Sequence, residues 1–341
     1  MKIEHVARIA GEVLAGCRIG REDALRLADD RTDIYELLFH ANRIRRHYRG
    51  DEVKACSIMS ARTGACPEDC AFCAQSARWK TGIRATPMCS VEEVSAAAGR
   101  AARNGVYAFS LVASGRGVRS EEELKAWVER LQAIGETGVE RHASLGTLND
   151  EQIERLKSAG LTCYCHNIET SERFFPNICT THTYRERLET ARRIKRHGLR
   201  LCCGCLLGMG ETWKDRVDLA LALRDLGADN VPMNFLHRIP GTPLENREPM
   251  RPMEILRCIA VFRFILFDRD IGVYGGREEN LRDMQSWIFM AGANAIMLGD
   301  YLTTRGRPPG DDLRMLEDLG LRLFRPLSAP EKVRVAEETR P

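Results

Sequence analysis

The chain has little net charge: 51 lysines and arginines nearly cancel 48 aspartates and glutamates, leaving +3 over 341 residues. That balance, with 44% hydrophobic residues, excludes a disordered or supercharged nucleic-acid-binding chain. No apolar run reaches the length of about 18 residues that a membrane span needs. The opening stretch MKIEHVARIAGEVLAG carries acids where a secretory signal would be basic and then purely apolar. Zinc-binding spacings such as HxxxH and HExxH are missing among the eight histidines, and there is no low-complexity segment. Cysteine, 13 residues, is far too sparse for a disulfide scaffold. The expectation is a soluble, cytoplasmic protein with neither nucleic acid nor membrane as partner. In a reducing cytosol its closely spaced cysteines read as metal ligands or redox groups.

What is present is alternation. From about residue 53, short β-branched or apolar runs alternate with helical patterns in units of roughly 30 residues. Eight such runs occur: Val53–Met59, Val106–Ala113, Val139–Leu145, Leu161–Ile168, Leu199–Leu207, Asn230–Leu236, Ile271–Tyr274 and Ala295–Leu298. Ser90 with Glu93 and Ser120 with Glu123 read as capping boxes, and Gly105, Gly138, Gly160, Gly198 and Gly227 sit where helices should stop. Alternating βα units imply a parallel sheet, and eight of them close a (β/α)8 TIM-type barrel, with an open doubly wound sheet as the alternative. Residues 1–50 form an N-terminal helical extension, with Ile34, Leu37, Leu38, Ala41 and Ile44 on one face. The barrel takes 51–327, and 328–341 form a polar C-terminal tail.

The loop after the first run reads Gly64-Ala65-Cys66-Pro67-Glu68-Asp69-Cys70-Ala71-Phe72-Cys73, a CxxxCxxC spacing at the C-terminal end of a strand, the catalytic face of a parallel barrel. Three thiolates can hold three irons of a four-iron, four-sulfide cluster and leave the fourth open. A zinc site would want a further Cys or His close by, and the loop has none. This loop, with an aromatic before its last cysteine, resembles the radical S-adenosylmethionine superfamily. The resemblance implies that the open iron chelates S-adenosylmethionine, whose reductive cleavage yields a 5′-deoxyadenosyl radical that abstracts hydrogen from substrate.

Further blocks, GACPEDCAFCAQSARWKTG, ASLGTLNDEQ, HNIETSERFFPNICTTHTYRERLET, GCLLGMGETWKDR, VPMNFLHRIPGTPL and MAGAN, are similar to the biotin synthase family over residues 64 to about 294. That resemblance implies conversion of dethiobiotin to biotin by insertion of one sulfur. It assigns Asn167 and Asn234 to the ureido ring, an amide offering both donor and acceptor to a urea. Glu169, where Asp is commoner, takes the ribose hydroxyls; Arg187 takes the carboxylate of S-adenosylmethionine, onto which a guanidinium forks. Phe72 meets the adenine edge, and Leu206 and Gly208 belong to the turn that cradles the cofactor. Without the resemblance, the asparagines would read equally as loop-closing residues and Arg187 as a solvated helix arginine.

In the common form of that family the inserted sulfur comes from a two-iron cluster held by three cysteines and an arginine. Those positions fall on Ser110, His142, Cys202 and Gly272, so one ligand of four remains. Other cysteines stand nearby instead: Cys56, Cys163, Cys165, Cys203 and Cys205. Strand parity puts Cys163, Cys165 and Asn167 on one face and Cys202 inward, and sends Cys203 and Cys205 toward the helices unless Gly204 marks a bulge. Cys56, Cys163, Cys165 and Cys202 are therefore candidate ligands of a relocated auxiliary iron–sulfur cluster, similar to a branch of the family with a four-iron auxiliary cluster. The competing reading is that they are small core residues, the reading preferred for Cys17, Cys89, Cys179 and Cys258.

A second enzyme reading is a related radical barrel of maturase or mutase type that inserts no sulfur; a third is a non-catalytic iron–sulfur or zinc protein. The family resemblance implies a flavodoxin- or ferredoxin-like reducing system, sulfur and cluster assembly proteins as partners, and a homodimer.

Overall fold

A computed structural model describes residues 3–135 and 137–325, so the proposed tail lies outside the described residues. Three helices lead: α1 (Ile3–Leu14), α2 (Arg21–Ala28) and α3 (Ile34–Arg49). The βα units follow as β1 (Glu52–Arg62), α4 (Val91–Arg103), β2 (Ala108–Ala113), α5 (Glu121–Ala133), β3 (Glu140–Ser144), α6 (Asp150–Ser158), β4 (Leu161–Cys165) and α7 (Tyr184–Arg196). Next come β5 (Arg200–Cys202), its continuation β6 (Cys205–Leu207), α8 (Trp213–Leu226), β7 (Asn230–Phe235), α9 (Pro252–Ile265) and β8 (Asp270–Val273). The short α10 (Arg277–Leu281) and α11 (Trp287–Met290) precede β9 (Ala295–Met297), α12 (Pro309–Asp318) and the two-residue β10 (Arg322–Leu323).

Pairings between named strands are all parallel, and β9 returns to β1 with Lys54 opposite Ala295 and Cys56 opposite Met297. With β5 and β6 counted as one interrupted strand, the closed (β/α)8 barrel results, and β10 pairs outside it with the start of β1. The interruption has a local cause. Cys202 pairs with Asn230 and Cys205 with Met233, an unchanged register, so Gly204 is not a bulge. Pro232 lies between those partners and has no N–H to donate to the ladder. A Cβ at Gly204 would lie 1.9 Å from the Pro232 carbonyl oxygen, so only glycine fits the close approach.

The helix signals act mostly as expected. Ser90 and Glu93 form the full box, but Ser120 makes only its half, because the Glu123 carboxylate accepts from the Arg119 amide (2.9 Å) and from Arg62 on β1 (2.6 Å) instead of from the Ser120 amide. The five stop glycines all have positive φ, from +70° to +92°. On α3, capped by Asp33, Leu37, Leu38, Ala41 and Ile44 are buried, and the helix packs on α1 and α9.

Two apolar regions result. The large one fills the space around the strands and under the helices and takes in Cys203, Cys205 and Cys258. A small separate cluster contains Cys56, Tyr107, Tyr274 and Met297. Beyond β8, Arg277 and Asp312 are both fully buried and paired bidentately at 2.6 and 3.0 Å, tying α10 to α12. Asp312→Ala would leave a buried guanidinium short of its carboxylate, at a cost of about 3–5 kcal/mol. The urea midpoint should fall accordingly, and the pair Arg277→Met with Asp312→Leu should recover much of the loss.

Candidate active site

At the C-terminal end of β1 the chain turns through Gly64 (φ +72°) and Ala65 (φ +49°) into the cysteine loop. The loop folds on itself: Cys66 N–H donates to the Gln75 carbonyl (3.1 Å), Ala77 N–H to the Cys66 carbonyl (2.8 Å), and Gly64 N–H to Gln75 Oε1 (3.0 Å). Trp79 Nε1 closes onto the Cys70 carbonyl at 3.0 Å. As a result Cys66, Cys70 and Cys73 line one cavity of about 240 Å³. Burial pushes the Cys73 thiol up to about 11, and the contact with Cys179, then burial, push Cys70 higher. Thiols so placed ionise only with a cation beside them, as metal ligands do. Three convergent thiols on one cavity wall fit a four-iron cluster with an open iron.

Phe72, Asn167, Glu169 and Arg187 line the same cavity, brought there by the cysteine loop, the chain after β4 and helix α7. Asn167 Oδ1 accepts from Gly204 N–H at 3.0 Å, across the gap between β5 and β6. Glu169 has φ +66°, a strained conformation for a non-glycine residue, held by Glu169 N–H to the Gly204 carbonyl (3.2 Å) and Leu206 N–H to the Glu169 carbonyl (2.9 Å). Burial raises its carboxyl above the ordinary range, against the opposing pull of Arg187, whose Nη1 is 3.7 Å away. Arg187 also donates to the Asn167 carbonyl (2.8 Å) and to His182 Nε2 (3.0 Å).

Three of the cofactor and substrate candidates lie outside that lining. Asn234 spends its amide on the backbone, Oδ1 accepting from Gly275 N–H and Nδ2 donating to the Cys205 carbonyl, both at 2.9 Å. Leu206 contributes its strand position beside Glu169. The Gly208-Met209-Gly210 amides all donate to the carboxylate of Glu211 (2.9, 2.9 and 3.1 Å), which Arg216 also grips. The turn is thus filled by its own glutamate.

The inward thiols come together below. Hydrogen bonds from Cys163 and Cys202, with His142 alongside, hold Cys165 well below the usual thiol range and keep Cys163 and Cys202 above it. Ser110 Oγ lies 3.8 Å from Cys165 Sγ, and Asn230 Nδ2 donates to Cys202 Sγ at 3.2 Å. Cys56, pushed up to about 12 by burial, is hydrogen-bonded to Tyr274, which also receives Asn230 Nδ2 at 3.2 Å. Cys165 belongs to the cavity lining as well, so this group and the cysteine loop border one space. Several cysteine sulfurs brought together in one interior are a donor set suited to soft metal–sulfide chemistry. Gly272 has its own reason: a Cβ there would lie 2.5 Å from Tyr274 Cζ, so the tyrosine fills the room a side chain at 272 would take.

Sequence reasoning missed two residues. Cys179, read as core filler, touches Cys70 (3.9 Å) and Asp69 (3.2 Å), and His182 sits against Glu68 at 2.6 Å. Asp69 also accepts the Thr180 and Thr181 amides, clamping the loop onto residues 178–182. The signal was the Cys179-Thr180-Thr181-His182 run in a matching block, a C-x-x-H spacing whose two ends can ligate one ion.

A closed parallel barrel with a three-cysteine loop at the C-terminal end of its first strand defines a radical S-adenosylmethionine enzyme. Residues 61–223 match the Radical SAM superfamily and residues 232–322 the Biotin and Thiamin Synthesis associated domain. The chain belongs to the biotin synthase family: it is 46% identical to a biotin synthase of Pelobacter propionicus over 92% of this chain and 96% of the relative, and 46% identical to that of Geobacter sulfurreducens over 94% and 98%. The fold is shared with methylornithine synthase (TM-score 0.81, 20% identity, 93% of this chain and 97% of that one). It is shared too with the FeFe-hydrogenase maturase HydG of Carboxydothermus hydrogenoformans (TM-score 0.79, 16% identity, 93% and 79%).

Gly272→Ala is expected to destabilise by about 1–3 kcal/mol, because it overpacks a buried, hydrogen-bonded tyrosine. Adding Tyr274→Ala should cost less than the sum of the two single changes, measured by urea unfolding.

Proposed function

We infer that this chain inserts sulfur into dethiobiotin to give biotin, with S-adenosylmethionine as the source of the radical. The observation that carries the reading is a single cavity bordered by Cys66, Cys70 and Cys73, by Asn167, and by Cys165 of the inward thiol group. Cys66, Cys70 and Cys73 would hold the four-iron cluster, which when bound supplies the electron that cleaves S-adenosylmethionine. Arg187 pairs with the cofactor carboxylate, Glu169 accepts from the ribose hydroxyls and Phe72 borders the adenine. Asn167, its Oδ1 already occupied by Gly204, offers Nδ2 to the ureido carbonyl. Asn234 is the second proposed ureido contact, and Leu206 and Gly208 support the cofactor through backbone placement. Cys56, Cys163, Cys165 and Cys202 would hold the auxiliary cluster. Bound there, the cluster would supply the inserted sulfur next to the cavity that Cys165 borders, a proximity that free sulfide cannot supply.

A flavodoxin- or ferredoxin-like reductant, sulfur and cluster assembly proteins, a homodimer and a cytoplasmic location complete the proposal. Among the described residues no helix is long and apolar enough to cross a membrane. Exposed Tyr35 and Phe39 on α3 and Trp287 and Met290 on α11 offer an apolar surface for a second copy.

Anaerobically reconstituted, reduced protein given dethiobiotin and S-adenosylmethionine should yield biotin by mass spectrometry. Changing Cys66, Cys70 or Cys73 to Ala should abolish 5′-deoxyadenosine; cleavage at the normal rate in any of them would reject the ligand assignment. A triple variant lacking all three should still hold iron on the inward thiols, seen by iron analysis and Mössbauer spectra. A folded triple variant without iron would favour the barrel that inserts no sulfur.

A further inference from the structure

The pair that sequence reasoning missed forms, with a loop cysteine, a second donor set. Cys70 Sγ and Cys179 Sγ are 3.9 Å apart, and His182 Nδ1 and Nε2 lie 3.3 and 3.7 Å from Cys179 Sγ. The ligand atoms of these three residues all fall within 4.8 Å of one another. Tetrahedral zinc, with Zn–S of about 2.3 Å and Zn–N of about 2.0–2.1 Å, requires S···S edges of about 3.8 Å and S···N edges of about 3.6 Å. The three side chains therefore already stand close to three corners around one ion. Ligands of a four-iron cluster, each on a different iron, need wider separations.

The imidazole is oriented for this. Arg187 can only donate, so its Nε–H to His182 Nε2 at 3.0 Å places the lone pair on Nε2 and the hydrogen on Nδ1. Nδ1–H then donates to Glu68 Oε2 at 2.6 Å, the carboxylate–histidine arrangement that supports metal-binding imidazoles. An incoming ion would replace Arg187 at Nε2. Asp69 Oδ1, 3.2 Å from Cys179 Sγ, puts an oxygen within reach of the fourth position.

We propose that Cys70, Cys179 and His182 form a mononuclear site for a thiophilic divalent cation, Zn²⁺ or Fe²⁺, in the cluster-free chain. Because Cys70 serves both, occupancy of this site and completion of the four-iron cluster exclude one another; that second clause rests on the cluster assignment above, whereas the ion site does not. The site gives a single ferrous ion a place beside the loop before the cluster is complete, and it makes zinc a competitor of cluster loading.

Cobalt(II) titrated into the full-length, cluster-free protein tests it. The inward thiols would compete for cobalt, so the reading is the difference between proteins. Cys179→Ala and His182→Ala should each lose one bound equivalent with its thiolate charge-transfer absorption, the affinity falling at least about tenfold, and Glu68→Gln should weaken it by about tenfold. The double variant Cys66→Ser with Cys73→Ser should keep that equivalent, and His182→Cys should restore it with added charge transfer. Equal stoichiometry and spectra in wild type, Cys179→Ala and His182→Ala, all folded by circular dichroism, would overturn the site. Independently of the ligand variants, X-ray absorption of one equivalent of zinc in the Cys66→Ser, Cys73→Ser protein should show two sulfur neighbours and an imidazole; a four-sulfur shell would overturn the assignment. Reconstitution with iron and sulfide should expel the equivalent from wild type. Its retention beside a complete four-iron cluster would reject the exclusion alone.

Discussion

Closure of the sheet, β9 onto β1, turns one face of every strand into the wall of a single interior. Side chains alternate along a strand, so closure commits each residue to that interior or to the layer under the helices. The unbroken register across the β5–β6 gap keeps Cys202 facing in beside Cys165 while Cys203 and Cys205 join the outer apolar layer. A one-residue slip at Gly204 would have turned Cys205 inward and Leu206 outward. Pro232 and Gly204 thus interrupt the ladder without changing which side chains face the cavity.

A second constraint joins loops that are far apart in sequence. Hydrogen bonds from Thr180, Cys179 and Thr181 outweigh burial and hold the Asp69 carboxyl well below its ordinary range. The Ala71 amide reaches the Ile178 carbonyl at 2.8 Å. The cysteine loop is therefore carried by the chain after β4 as much as by β1, and the residues that border the cofactor space on both sides are tied to one another. Half-buried Asn167 and Asn234 and buried Glu211 all spend side-chain capacity on amides and carbonyls of neighbouring loops. These bonds fix the rims of the site with little recourse to exposed ion pairs, which contribute little in water.

The local code reads well wherever one stretch of chain carries the whole message. Eight βα units, the stop glycines, the Ser90 box and the CxxxCxxC loop each depend on neighbours within a few residues, and each could be seen in the sequence. The Ser120 box failed halfway because Arg62, 61 residues away, draws one oxygen of Glu123 and the Arg119 amide takes the other. Parity arguments reached further, since alternation along β4 needs only its own residues to place Cys163 and Cys165 together.

The sequence by itself determined the barrel, its catalytic end, the three-thiol loop and the family to which the chain belongs, because periodicity, turn chemistry and ligand spacing are properties of contiguous residues. The tertiary structure alone decided that Cys179 and His182 meet Cys70, that Tyr274 fills the space over Gly272, and that Glu211 takes the amides of the Gly208 turn. Those outcomes depend on distances between residues more than 100 positions apart in the sequence, as with Cys70 and Cys179 at 109, or on which of several possible partners reaches a backbone amide first. Neither is written in local pattern; both follow from how strand closure and loop packing bring separate segments to one place.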